Sequence, residues 1–515
     1  METNDRNELF ESDYNEERLT RLYENEAISE VNEEFSLPDY VPEVRRVLTV
    51  RAQPIPENKY LNDTSSPICL ELGGTVAYSV IYLDEEGSLC ALPLSSTYET
   101  KAILNEIPSE TEISTNIESV TPRVLAPRKL SIKSKLRSKI LCSENLNIEP
   151  KITPKSSAEE LFLQRKYENV MCLSKKKIGL DNIRINDKLD SEGGARPIWC
   201  DAYIDLNEVK SLKDSVLVRG EVTVKCLSSK DGEYSVISKT MSLNEEIEAE
   251  GADTGDMVRV FARCVSLALS SAENSEANEV FFDLGCELNG EVLRNCETRV
   301  LCDAYSTNSP SQESYKDVEY YRVQRGGTSS FSLNEEIKSE ELKNREIITI
   351  FADPVYEKCE IKGQKASLLG KMSLGVILKP QDGENQGEEI TFESFELPLK
   401  YELDLGKAPK GALARCEMTL GKINARIDNG RLIVNSEVDC AYSIYEKSSV
   451  QALSTLLIKA DEKIKRESST VRVCFPAKGL SLWDVAKKYH VTKSHIAKQN
   501  SISENEEILP KSLII

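Results

Sequence analysis

Histidine is nearly missing from this sequence: its 515 residues contain two, His490 and His495, both close to the C-terminal end. A serine or cysteine nucleophile elsewhere in the chain therefore has no imidazole to serve as its base. The two that exist are five positions apart, about 140 degrees around a helix, and so share no metal-binding face. Basic charge is also short, with 65 Lys and Arg against 86 Asp and Glu and a formal net charge of −21. That argues against a nucleic-acid binder, which needs clustered cations to neutralise phosphates, and suits protein partners better. No apolar run approaches the roughly 20 residues of a membrane span. The opening METNDRNELFESDYNEERL has neither the basic nor the apolar region of a secretory signal, so the expectation is a protein made and kept in a cytosol.

Fourteen cysteines are present, but none forms a Cys-x-x-Cys motif. They read as small apolar side chains in a reducing compartment rather than as a zinc or disulfide framework. Phosphate-cradling glycine loops are missing too, since Gly73-Gly74, Gly193-Gly194 and Gly326-Gly327 open no helix at the required spacing. Carboxylates are too many for one acid and base pair to stand out. The reading is of a protein that is not an enzyme and takes no cofactor and no metal.

What is present is repetition. Gly74, Gly220 and Gly370 each sit between two β-rich runs, and each is followed by a turn string, DEEG at Gly87, KDG at Gly232 and QDG at Gly383. Ala262-Arg263-Cys264 recurs as Ala414-Arg415-Cys416, and KLSIKSKL, EVFFDLGCEL and RLIVNSEV open alternating stretches at Leu130, Val280 and Leu432. The period is about 150 residues. The hexapeptide SLNEEI at Ser332–Ile337 has its counterpart in VNEEFS at Val31–Ser36, two periods upstream, and the identical string at Ser242–Ile247 is out of phase and reads as an acidic loop after a hairpin.

Period-2 patterning and tight turns such as Asp428-Asn429-Gly430 point to a mainly β chain of three β-sandwich-like modules of about 150 residues and a small βααβ domain. The boundaries are 1–28, an acidic flexible arm or frayed helix; 29–140, 160–305 and 315–458, the three units; and 470–515, the tail. In the first unit EVRRVL has room for one helical turn before the strand VLTVRA.

In the tail, VRVCF reads as a strand and Ser481 as a helix cap, with Asp484 at the capping-box spacing. Leu482, Val485, Ala486 and Tyr489 make one apolar stripe. A second helix over 493–499 is capped by Thr492, Asn500 suits a left-handed terminus, and ILPKSLII supplies a closing strand.

Gly479, Ser481, Leu482, Trp483, Val485, Ala486, Tyr489, Asn500, Pro510, Leu513 and Ile514 resemble the pattern of the LysM module. FSLPDYVPEVRRVLTVRAQP and SVLVRGEVTVKCLSSKDGEYSV look like segments of SPOCS modules. Together they resemble a family of spore-coat morphogenetic proteins of endospore-forming bacteria. That resemblance implies a scaffold in the mother-cell cytoplasm, at the forespore outer surface, whose LysM groove binds a coat morphogenetic ATPase so that the coat encases the spore. Other coat proteins are further partners. The contact set expected on the groove is Gly479, Leu480, Ser481, Trp483, Asn500 and Ile502. The family's groove otherwise takes glycans containing N-acetylglucosamine, so peptidoglycan of the wall or cortex is the alternative ligand. Here Leu480 replaces the family's loop Asp and Lys511-Ser512 its Gly-Gln turn, which shifts the expectation to a protein ligand.

Overall fold

The computed structural model describes residues 18–64, 66–157, 160–190, 195–271, 279–381, 389–465, 472–477, 479–506 and 509–515. It is mainly β. Strands β1 (Thr20–Ser36), β2 (Arg46–Asn62), β3 (Ile68–Leu83), β4 (Leu89–Leu104), β5 (Glu110–Ala126) and β6 (Lys129–Asn145) form two antiparallel sheets, ordered β1-β6-β5 and β2-β3-β4. After β7 (Lys151–Thr153), the strands β8 (Leu163–Asp190), β9 (Arg196–Leu212), β10 (Ser215–Lys230), β11 (Glu233–Glu248), β12 (Met257–Ser271) and β13 (Glu279–Ser306) give β8-β13-β12 and β9-β10-β11. Then β14 (Ser311–Lys338), β15 (Arg345–Lys362), β16 (Lys365–Pro380), β17 (Thr391–Asp404), β18 (Leu413–Asp428) and β19 (Arg431–Ile458) give β14-β19-β18 and β15-β16-β17. In each set the first strand pairs with the sixth, and the two sheets share one apolar core.

Local chemistry explains the turns. Asn429 and Gly430 both have positive φ, +50° and +72°, the backbone a two-residue hairpin between β18 and β19 needs. Asp231 and Gly232 do the same between β10 and β11. Gly383 lies outside the described residues.

Gly74, Gly220 and Gly370 mark a close approach within their sheets. A Cβ there would lie 2.3, 2.3 and 2.4 Å from the carbonyl oxygens of Ile55, Asp205 and Val355. Gly220→Ala is therefore expected to push β9 away from β10 and cost about 1–3 kcal/mol. Urea unfolding of the full chain checks this, and an unchanged midpoint would contradict the packing.

Several expectations change. Residues 20–28, read as part of a flexible arm, belong to β1, because Leu22, Ala27 and Val31 are buried against the neighbouring strands. The EVRRVL segment makes no helical turn and runs straight into β2. SLNEEI at Ser242 is not a loop but part of β11, with Leu243 and Ile247 buried in the second core. The polar stretch 147–159, outside the expected first and second units, carries β7, which pairs in parallel with β19. By contrast Phe35 pairs with Leu130 and Ile337 with Leu432, so VNEEFS and the second SLNEEI hold the same place in their ladders.

The three sets close on one another. β4 meets β9, β11 meets β15 and β17 meets β2, so strand four of each set touches strand two of the next around a ring. Ile81, Leu227 and Ile377 occupy matching positions in β3, β10 and β16 and fill its centre with Trp199 and Phe351. The Arg51 guanidinium lies over both aromatic rings and pairs with Asp201 at 2.5 Å and Asp353 at 2.7 Å. One side chain of the first set thereby ties down the other two.

A second junction is buried and ionic. Glu112 of β5 accepts from Lys175 Nζ at 2.8 Å and Arg259 Nη2 at 3.1 Å, and pairs with Arg415 Nε at 3.0 Å. Those partners come from β8, β12 and β18. Arg259 Nη2 also donates to Glu291 of β13 at 3.0 Å. Burial pushes Glu291 up to about 7 against the pull of Arg259, and its hydrogen bond to Glu112 adds to the rise. Glu112 itself is held well below the usual carboxylate range, because the Glu291 hydrogen bond and the three cations outweigh its burial.

The 28-residue strands β8, β13, β14 and β19 run on past the ring. Their outer halves enclose a further core of Val170, Cys172, Val300, Val318, Tyr320 and Val450, joined by Leu19 and Ile148 from the ends of the first set. This extension carries the tail.

Candidate functional site

The tail is ordered as a strand β20 (Val473–Cys474), helices α1 (Leu482–Tyr489) and α2 (Lys493–Asn500), and a strand β21 (Leu513–Ile514) antiparallel to β20. Ser481 caps α1 in a reciprocal box: its side chain accepts from Asp484 N, and Asp484 accepts from Ser481 N at 2.9 Å. That bonding outweighs burial and holds the Asp484 carboxyl below its ordinary value. Thr492 caps α2. The left-handed termini are His490 and Ser501, both at φ +54°, and not Asn500, which is the last helical residue.

The expected contact set does not stay together. Gly479, at φ +92°, turns the loop into α1 and leaves Leu480 exposed. Asn500 is a clamp: its Nδ2 donates to Ile496 O at 2.8 Å and Ile514 O at 2.7 Å, and its Oδ1 accepts from Ile514 N at 2.7 Å. It fixes β21 on α2, and its amide is fully used. Ile502 packs against the tail core.

Trp483, read as a groove residue, is buried elsewhere. Its ring sits edge-on to Tyr305, centroids 5.0 Å apart, and its Nε1 donates to Asp303 Oδ2 at 2.7 Å. The reason is that α1 is apolar on two sides. Leu482, Val485 and Ala486 face the tail core, and Trp483 and Lys487 face the end of β13 and the start of β14.

Lys487 Nζ bonds Asp303 Oδ1 at 2.7 Å and Tyr315 OH at 2.9 Å, with Glu313 at 3.4 Å. Burial opposes its charge, but the bonds to Asp303 and Tyr315 win and hold it above the ordinary lysine range. Tyr305 OH donates to Val491 O at 2.7 Å, and His490 Nδ1 lies 3.1 Å from Ser306 O. The tail is thus seated on the body through one face of α1. Sequence reading missed Asp303, Tyr305 and Tyr315, whose only signal was an aromatic and acidic cluster at the junction of two strands.

Away from the seat, Val473 and Ile514 pair across β20 and β21 and are both exposed, with Phe475 (76 %) and Leu480 (40 %) following in the loop before α1. Arg472, Lys488, Lys493, Lys498 and Lys511 give the tail a basic character that the remainder of this acidic chain lacks.

A cleft of about 690 Å³ lies between the first and third sets, lined by Glu24, Lys139, Tyr356, Arg415 and Glu417 among others. Lys139 Nζ crosses it to donate to Glu357 O at 2.6 Å. Burial pushes Lys139 down and Glu24 up. Arg415 pairs with Glu417 at 3.5 Å on its own strand.

Among the described residues no group of three or more His, Cys, Asp or Glu is placed to hold a metal, and no helix is long and apolar enough to cross a membrane. No family model matches the chain, and no curated protein matches it. The class defined by fold and site is a mainly β chain of three six-stranded sets with a small helical tail seated on their shared extension.

Proposed function

We propose that this chain is a non-enzymatic scaffold of spore-coat assembly that works at the forespore surface, its tail capturing a coat morphogenetic ATPase. The observation that carries this reading is the division of the tail into two faces. Trp483 and Lys487 spend one face on the body, which fixes the tail's orientation, and Leu480 and Phe475 remain exposed on the loop before α1. An exposed aromatic and an exposed aliphatic in one loop, on a tail that carries Arg472, Lys488, Lys493, Lys498 and Lys511, suit a partner that offers an apolar anchor and acidic neighbours. Leu480 also removes the polar loop group that would grip a sugar hydroxyl, which supports a protein ligand over a glycan.

The test is capture of the purified ATPase by the full chain. Leu480→Asp is expected to weaken capture by about tenfold or more, the scale of losing one interface anchor. Unchanged capture would remove the loop from the interface. Retention of the unaltered chain on purified peptidoglycan in high salt, with no capture of the ATPase, would favour the glycan reading.

A further inference from the structure

Six of the fourteen cysteines face one another in three pairs. Cys200 of β9 and Cys226 of β10 are direct partners in their ladder, and so are Cys264 of β12 and Cys286 of β13. Cys226 Sγ donates to Leu227 O at 3.7 Å and Cys264 Sγ to Ala202 O at 3.6 Å, and the facing thiol pushes Cys200 and Cys264 up and draws Cys226 and Cys286 down. Cys416 of β18 and Cys440 of β19 are offset by two residues in their ladder, with their sulfurs 3.2 Å apart. None of the fourteen is in a disulfide.

For Cys200–Cys226 and Cys264–Cys286 the distances suit a bond, whereas Cys416 and Cys440 are diagonal neighbours brought together by their sulfurs alone. Residues directly opposite in an antiparallel ladder have Cα atoms about 4.5–5.5 Å apart, within the roughly 4.4–6.8 Å that a disulfide spans. Filling space does not require this placement, because the next same-face pair in the same ladder, Ala202 and Val224, does so without sulfur. Cys200 and Cys264 are half-buried as residues and their partners fully buried, so in each of these two pairs one cysteine is the more accessible. Cys416 and Cys440 are both buried.

We propose that these three pairs are sites of intramolecular disulfide formation, and that the protein folds with reduced thiols and is cross-linked strand to strand when it meets a low-molecular-weight disulfide. In each pair one thiolate attacks a sulfur of that disulfide, forming a mixed disulfide and releasing one small thiolate. The facing cysteine, as thiolate, then attacks the protein sulfur of the mixed disulfide and releases the second. Two protein thiols are oxidised, the small disulfide is reduced to two thiols, and the two protein protons end on them. Each link ties adjacent strands and closes a loop of about 25 residues, which restricts the unfolded chain and raises stability. The second set gains a link in each of its two sheets, and the third gains one.

The experiment uses the reduced full chain, incubated with oxidised glutathione under native conditions, alkylated, unfolded and digested without reductant. Mass spectrometry is expected to find Cys200 linked to Cys226 and Cys264 to Cys286 first, and Cys416 to Cys440 more slowly. The thermal midpoint should rise by several degrees and fall back after dithiothreitol. Cys200→Ala should remove the first link and leave the other two, which also shows that the variant is folded. Three outcomes overturn the proposal: all six thiols alkylated after oxidation, glutathione retained on Cys200 and Cys264 without closure, or links that join cysteines other than those facing.

Discussion

Glu112→Gln is expected to destabilise the protein by about 3–5 kcal/mol, the typical consequence of removing one partner from a buried ion network. Glu112 is the only carboxylate in contact with Lys175, Arg259 and Arg415 together among the described residues, so its loss leaves three cations short of a counter-charge. Glu291→Gln should behave differently. Its folded value is raised above that of an unfolded glutamate, so protons favour the folded state, and that contribution is present at low pH and lost as pH rises from about 4.5 through about 7. Glutamine copies the protonated acid, so this variant should cost little and should flatten the decline in stability across that window. Glu112 has the opposite sign: its depressed value gives stability above the ordinary glutamate range that is lost as pH falls. Urea unfolding of both variants at pH 5 and pH 8 separates the two roles. Equal losses would mean that the junction does not depend on which carboxylate bears the charge.

Trp483→Ala is expected to release the tail from its seat, with a loss of about 3–5 kcal/mol in the tail's own stability and docking. The indole is buried and bonded at once to Tyr305 and Asp303, so alanine leaves a cavity and an acceptor without its donor. Asp303→Asn is the milder companion, since it removes the charge that Lys487 pairs with and leaves the ring edge-on to Tyr305. Hydrogen exchange read by mass spectrometry should show residues 482–500 losing protection in the first variant and the seat alone loosening in the second. Protection unchanged in both would mean that the tail does not rest on the body in solution.

The repeat was legible because it is written in turn chemistry and close approach. Asn429-Gly430 and Asp231-Gly232 allow few other conformations, and Gly74, Gly220 and Gly370 stand where a side chain has no room. The tail's order of elements was legible for the same reason, through the Ser481 and Thr492 caps. The junctions were not. Glu112, Lys175, Arg259 and Arg415 sit in alternating strands at positions that a period-2 pattern assigns to solvent, and they are buried only because another set supplies the opposite charge. Nothing within one set reveals that. Trp483 was misplaced by the same limit, since its partner Tyr305 lies far upstream and only the meeting of β13 and β14 creates the seat.

The seat is built from Asp303, Tyr305, Glu313 and Tyr315, at the corner where the second set hands the chain to the third. Valency follows from that placement: although the body is three-fold in plan, each molecule presents a single tail in a single pose.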